Sequence, residues 1–210
     1  MFQISSNLKI NVEILDNSKI YTIDNFYINP DSVVDYILDS FPELHKSDDR
    51  ETYNGVYFED RRHEIESLEI KPVYKFLESL CNQKPISDDL IVTNLFRMKQ
   101  LKFNDFENNY WWPHTDSGYT GIIYLNENDN HSGTNLYEVI NLPENYSGIP
   151  EHYMPWRSKK DFNIIKTITP KYNRLVFFDG KKFYHGMNIC NKIYSDKIYR
   201  FNQAFFFKEN

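Results

Sequence analysis

The stretch WWPHTDSGYTGIIYLNE, residues 111–127, decides how this chain is read. It sets a histidine and an aspartate two residues apart, His114 and Asp116, just ahead of an apolar run that reads as a β-strand. Along extended backbone, residues i and i+2 point to the same side, so the two side chains can converge on one ion. Ser117-Gly118 then offers a tight turn that carries the chain away. The pair is weak on its own. With 6 His in 210 residues, about half of comparable sequences would hold an H-x-D by chance. A third ligand and a scaffold have to come from elsewhere in the chain.

From about residue 91 onward the pattern is one of strands. IVTNLFRMKQLKF (91–103), GIIYLNE (121–127), GTNLYEVI (133–140), FNIIKTITP (162–170), NRLVFFDG (173–180), HGMNIC (185–190) and IYRFNQAFFF (198–207) follow one another. Turn signals such as NENDN and DGKK separate them. Many short strands with few helices predict a mainly β fold of the β-sandwich or jelly-roll type. Residues 141–161, rich in proline, break the rhythm and read as a long surface loop, a candidate lid.

Residues 1–90 mix strand and helix signals and read as an extension packing on the 91–207 core, with 1–210 as a single domain. KIYTIDNFYI (19–28) predicts a strand. A helix follows, with Asn29 as its N-cap, Pro30 at its first position and Asp31 in its first turn. Val33, Val34, Ile37 and Leu38 form its apolar face. KPVYKFLESLC (71–81) predicts a second helix buried through Val73, Phe76, Leu77 and Leu80. The polar stretch 47–64 reads as a loop in which Arg61 and Arg62 could border a substrate entrance.

Composition narrows the function classes. Aromatic content of 17% and hydrophobic content of 40% suffice for a substantial core. A net charge of -6 argues against a general nucleic-acid binder. No apolar run reaches the roughly 18 residues of a membrane span. Cys81 and Cys190 are far apart and outside any C-x-x-C pattern, and no secretory leader is apparent, which predicts a reduced, cytoplasmic protein.

The third ligand candidate is His185, at the start of a late strand in FYHGMNI. Two histidines and a carboxylate from separate strands form a facial triad for Fe(II) that leaves three coordination positions open. Neutral imidazoles and one carboxylate leave a divalent ion near +1, which favours an anionic bidentate co-substrate. A cation should then grip the far end of that anion. Arg200 is the only arginine of the final strand, among aromatics, and its planar fork suits a carboxylate. Tyr124 and Asn202 could add hydrogen bonds to it. Structural alternatives exist for each: Arg200 could pair with Asp179 or Glu209, and Tyr124 could be ordinary core. His131 and His152 read as solvated loop residues, and His45 and His63 have no assigned role.

The ordered set HTD, GIIYLNE, GTNLY, RLVFFDGKKFYHGMN and YRFNQAFFF resembles the core of the Fe(II)- and 2-oxoglutarate-dependent oxygenases, especially the prolyl-4-hydroxylase-like branch. The resemblance covers about residues 91–207, and YTIDNFYINPDSVVDYI is similar to the segment that precedes such cores. It implies a double-stranded β-helix, the cupin-like jelly roll. It also implies iron on His114, Asp116 and His185, with the distal carboxylate of 2-oxoglutarate on Arg200 and Tyr124. O2 is the further co-substrate, and ascorbate is a candidate stimulant. The implied reaction hydroxylates a C–H bond of an amino acid, a peptide or another small molecule as 2-oxoglutarate is decarboxylated to succinate. Trp112, Tyr110 and Phe205 would wall the pocket. Two features depart from the pattern: the spacing from His185 to Arg200 is long, and Ser132-Gly133 stands where a glycine pair is usual.

Two other readings compete. RFNQAF resembles the arginine strand of oxygenases that demethylate nucleobases, but Phe206 occupies the position of their further arginine. The other is a non-catalytic, cupin-like binding module.

Overall fold

A two-residue turn starts the architecture. Asp16 and Asn17 both take positive φ, 47° and 58°, the conformation that fits a tight hairpin to the twist of its strands. It joins β1 (Lys9–Leu15) to β2 (Ser18–Asp24). The computed structural model describes residues 1–39, 50–51, 57–98, 107–127, 131–142, 156–189 and 199–209. After the hairpin come α1 (Pro30–Asp39), β3 (Arg50–Glu51), β4 (Tyr57–Glu66), α2 (Lys71–Cys81), β5 (Lys84–Pro85) and β6 (Leu90–Met98). Then follow β7 (Asn109–Trp111), β8 (Tyr119–Tyr124), β9 (Thr134–Val139), β10 (Trp156–Ser158), β11 (Phe162–Ile168), β12 (Arg174–Asp179), β13 (Tyr184–Met187) and β14 (Arg200–Lys208).

The chain is mainly β, and its sheets are antiparallel. The large sheet runs β1-β2-β12-β8-β14-β6-β4-β3, with β5 against β14. A smaller sheet runs β11-β9-β13, and β10 pairs with β7. One isolated bridge, His114 to His185, ties the segment after β7 to β13. From β6 onward the chain shuttles between layers: β6, β8, β12 and β14 belong to the large sheet, β9, β11 and β13 to the smaller one.

Residue parity sorts the two faces of the large sheet. Tyr124 lies opposite Asn202 and Arg174, and Asn202 lies opposite Asn94, so even positions face even positions across four strands. Odd residues such as Ile91, Leu95, Ile123, Leu175, Phe177, Phe205 and Phe207 form one core with both helices. Even residues such as Tyr124, Val176 and Phe178 pack with Leu136 and Ile168 of the smaller sheet.

The helices form where capping and periodicity predict them. The Asn29 carboxamide oxygen accepts from the Ser32 N–H at 3.3 Å, and Val33 and Ile37 are buried. The second helix spans Lys71–Cys81 and ends at Asn82, whose φ of 57° is the left-handed stop. Residues 1–90 do more than pack on the core: β2 lies directly against β12. The carboxamide of Asn173 accepts from the Tyr27 N–H (2.8 Å) and donates to the Tyr27 carbonyl (2.9 Å). The Tyr27 hydroxyl donates to Gln203 Oε1 at 2.7 Å.

Two expectations need correction. The polar stretch 47–64 is not all loop, because β3 and most of the ten-residue β4 lie in it. β4 is held by backbone pairing to β6, with Arg62 opposite Asn94 and Glu64 opposite Val92. Backbone hydrogen bonds are indifferent to side-chain polarity, so no hydrophobic alternation marks this strand. Within 141–161, Trp156–Ser158 is β10, paired to β7. Residues 143–155, and with them most of the candidate lid, lie outside the described residues, as do His45, His152 and Cys190. Among the described residues no helix is long and apolar enough to cross a membrane.

Asp24 fastens β2 to the β12 end. Its carboxylate accepts from Arg174 Nε at 2.6 Å and Nη2 at 3.2 Å, and from Lys171 at 2.9 Å. The Arg174 hydrogen bonds, against the opposing effect of burial and with help from Lys171, hold the carboxyl below its ordinary 3.8. A depressed carboxylate contributes stability above its ordinary pKa and loses it as pH falls through the folded value. Asp24→Asn should therefore lower unfolding free energy by about 1–2 kcal/mol at neutral pH. The difference from wild type should shrink in urea melts repeated near pH 3.

Candidate metal centre

The site begins with an unusual backbone. Trp112 has φ of 50°, a left-handed conformation that a bulky residue adopts only under constraint. This turn lays the next residues antiparallel to β13. The His114 N–H donates to the His185 carbonyl at 2.9 Å, and the His185 N–H donates back at 2.8 Å. The imidazoles become direct cross-strand neighbours, with ring centroids 4.4 Å apart. The residue after His185 has to be small: a Cβ on Gly186 would lie 2.4 Å from the Trp111 carbonyl oxygen. Two residues past His114, the Asp116 N–H donates to the Gly180 carbonyl at 2.8 Å.

The three predicted ligands meet. Their donor atoms all lie within 4.8 Å of one another. His185 Nε2 is 3.2 Å from Asp116 Oδ2, and His114 Nε2 is 4.0 Å from Asp116 Oδ1. Both rings are aimed by the chain itself. His114 Nδ1 bonds the Trp112 carbonyl at 2.8 Å, and His185 Nδ1 bonds the Phe183 carbonyl at 3.0 Å. A carbonyl can only accept, so each Nδ1 carries a proton, and Nε2 is the atom that each ring presents to the centre. Burial raises the Asp116 carboxyl, but His185, His114 and the Thr120 hydroxyl outweigh it and bring it to about 2. The group is an anion throughout the neutral range. Two neutral nitrogens and one carboxylate suit a divalent transition ion with open positions.

These residues line a cavity of about 590 Å3. Arg200 and Asn202 line it too, as their parity on β14 requires. Arg200 is 6% exposed. Its Nε donates to the Ser132 carbonyl at 2.9 Å, and its guanidinium carbon lies 5.7 Å from the Tyr124 ring centre. Among the described residues no carboxylate pairs with it. The alternative partners are engaged elsewhere: Asp179 Oδ1 accepts from the N–H groups of Lys181 and Lys182, and Glu209 pairs with Lys181. Asn202 Oδ1 accepts from Asn94 Nδ2 at 3.2 Å.

Tyr124 stands differently from its predicted place. Its hydroxyl is hydrogen-bonded to Thr134 Oγ1 at 2.7 Å, and Thr134, not Tyr124, lines the cavity. The predicted walls divide likewise. Trp112 lines the cavity. Phe205 has odd parity and is buried in the helix-side core, so Phe206 takes the wall position. Tyr110 stacks on Tyr137. Arg62 reaches the cavity from β4, with its guanidinium 5.0 Å from the Phe206 ring centre.

Thr120, Asn94 and Thr134 were not among the predicted residues. Thr120 could have been found, because four residues after Asp116 on a strand is the same parity. Asn94 and Thr134 become visible only through the register of β6 on β14 and the layer formed by β9. Ser132-Gly133 keeps its register for a reason of space: a Cβ on Gly133 would lie 1.9 Å from the Ile168 carbonyl oxygen. No family model matches the chain, and no curated protein matches it.

One divalent transition ion per chain should raise Tm in thermal melts with Mn2+, Co2+ or Fe2+. Asp116→Asn and His185→Ala should each abolish that rise. Thr120→Val should keep it but weaken the affinity about tenfold, through the loosened carboxylate.

Proposed function

We propose that the chain is an Fe(II)- and 2-oxoglutarate-dependent dioxygenase on a double-stranded β-helix, hydroxylating a C–H bond of an amino acid, a peptidyl residue or another small molecule. The observation that carries this reading is Arg200. A guanidinium buried in the same cavity as a cluster of two histidines and a carboxylate, with no carboxylate partner among the described residues, needs an anion supplied from outside. The shuttling of β6 to β14 between two antiparallel layers is the topology that a double-stranded β-helix would have.

The donor set fits the ion, and the cavity fits a dicarboxylate. His114, Asp116 and His185 would hold iron from one side and leave the cavity side open. When bound, iron and 2-oxoglutarate supply the oxidising chemistry, coupling O2 reduction and decarboxylation to succinate with hydroxylation of the substrate. The residues of the chain orient and exclude. Arg200 offers its remaining guanidinium N–H groups to the distal carboxylate, and Asn202 offers its carboxamide from two positions along the same strand face. Thr134 carries the polar lining that the Tyr124 hydroxyl supports from behind. Trp112, Phe96, Met187 and Phe206 make an apolar wall that keeps water from the reacting atoms.

The test is anaerobic addition of Fe(II) and 2-oxoglutarate, read as the weak visible metal-to-ligand charge-transfer band. The band should appear with wild type and vanish in His114→Ala. Arg200→Met should retain the Tm rise with metal but weaken 2-oxoglutarate about 100-fold, the loss of a buried charge-assisted pair. Absence of the band in wild type that binds metal would overturn the proposal and leave a metal-binding module. Preferential turnover of alkylated nucleobases would shift the substrate class.

A further inference from the structure

The outermost strand of the large sheet is open. β1 lies at the end of the strand order and, among the described residues, pairs only with β2. Three large apolar side chains alternate along it, with Ile10 49%, Val12 46% and Ile14 70% exposed. It contains no proline and its pairing with β2 has no bulge, and the charges it carries, Lys9 and Glu13, are of opposite sign. The two-residue turn closes on Leu15 and Ser18. By the alternation of an antiparallel ladder, Leu15, Glu13, Asn11 and Lys9 then use their N–H and C=O groups on β2. Ile10, Val12 and Ile14 direct theirs away from it.

We infer that this edge is a dimer interface, in which β1 of a second copy pairs antiparallel about a two-fold axis at Asn11. The sequence of β1 is complementary to itself about that residue. Ile10 then lies opposite Val12 of the second copy and Leu8 opposite Ile14. Lys9 lies opposite Glu13, and Asn11 opposite itself. Even residues meet even residues, which brings the outward N–H and C=O groups of Ile10 and Val12 into register. Sliding the axis to Val12 keeps the ladder but sets Lys9 against Leu15 and Asn11 against Glu13, so charge selects the first arrangement. Glu13 already bonds Lys166 at 2.6 Å and remains 46% exposed in its side chain. Its second oxygen is available to the Lys9 of the other copy. Such a two-fold contact uses one patch twice and closes on itself. The large-sheet strands that line the cavity, β4, β6, β8 and β14, lie on the far side of β12 from β1.

Sedimentation velocity of the full chain over a range of concentrations tests this. Wild type should run at twice the single-chain mass and dissociate on dilution. Val12→Pro removes one outward N–H and should yield monomer with an unchanged far-UV spectrum and metal response. Lys9→Glu leaves the Glu13–Lys166 pair intact and should raise the dissociation constant at least about tenfold by opposing like charges. The Lys9→Glu, Glu13→Lys double variant should restore the dimer. A wild type that is monomeric at every concentration overturns the inference. So does a dimer that survives Val12→Pro, or a double variant no better than Lys9→Glu.

Discussion

Two backbone hydrogen bonds between His114 and His185 are the constraint on which the rest of this molecule depends. Among the described residues they form an isolated bridge and not part of a continuous strand pair. Yet they set the spacing of two imidazoles, and through it the place of any ion. Everything nearby serves that bridge. Trp112 bends into a left-handed conformation to reach it, Gly186 removes the side chain that would hold the backbones apart, and the Trp112 and Phe183 carbonyls fix the rings. Nearly all the specificity of this site is therefore carried by main chain, in a segment where the side-chain pattern has little to say.

A second constraint acts at longer range. Because the registers of β12, β8, β14 and β6 match even residues with even residues, one choice of parity decides the chemistry of a whole face. On β14 that choice sends Arg200 and Asn202 inward between the layers and Phe201, Phe205 and Phe207 outward beneath the helices. The same strand thus serves as half of a hydrophobic core and as the polar floor of a cavity.

Much of this was legible in the residues alone. The helices followed from Asn29, Pro30 and the spacing of Val33 and Ile37. The strands of the second half followed from β-branched and aromatic runs between turn signals. The convergence of His114, Asp116 and His185 was readable because their order along the chain matched a strand order. The failures have physical causes. β4 went unseen because it is polar and held by its backbone. Phe205 was chosen over Phe206 because parity needs a register, and the register comes from long-range pairing. The bond of the Tyr124 hydroxyl to Thr134 was out of reach of the sequence, because Thr134 is contributed by another layer.

The tie between Tyr27 and Gln203 bears on cooperativity. It joins a residue just after β2 to the middle of β14, and Asn173 clamps the same tyrosine from the start of β12. The first thirty residues and β14 are thus parts of one folding unit, although 176 residues separate Tyr27 from Gln203. Amide protons of β2 and β14 would exchange through the same global opening. Removing the first thirty residues, Tyr27 among them, would then cost β14 its order as well, together with the guanidinium it carries.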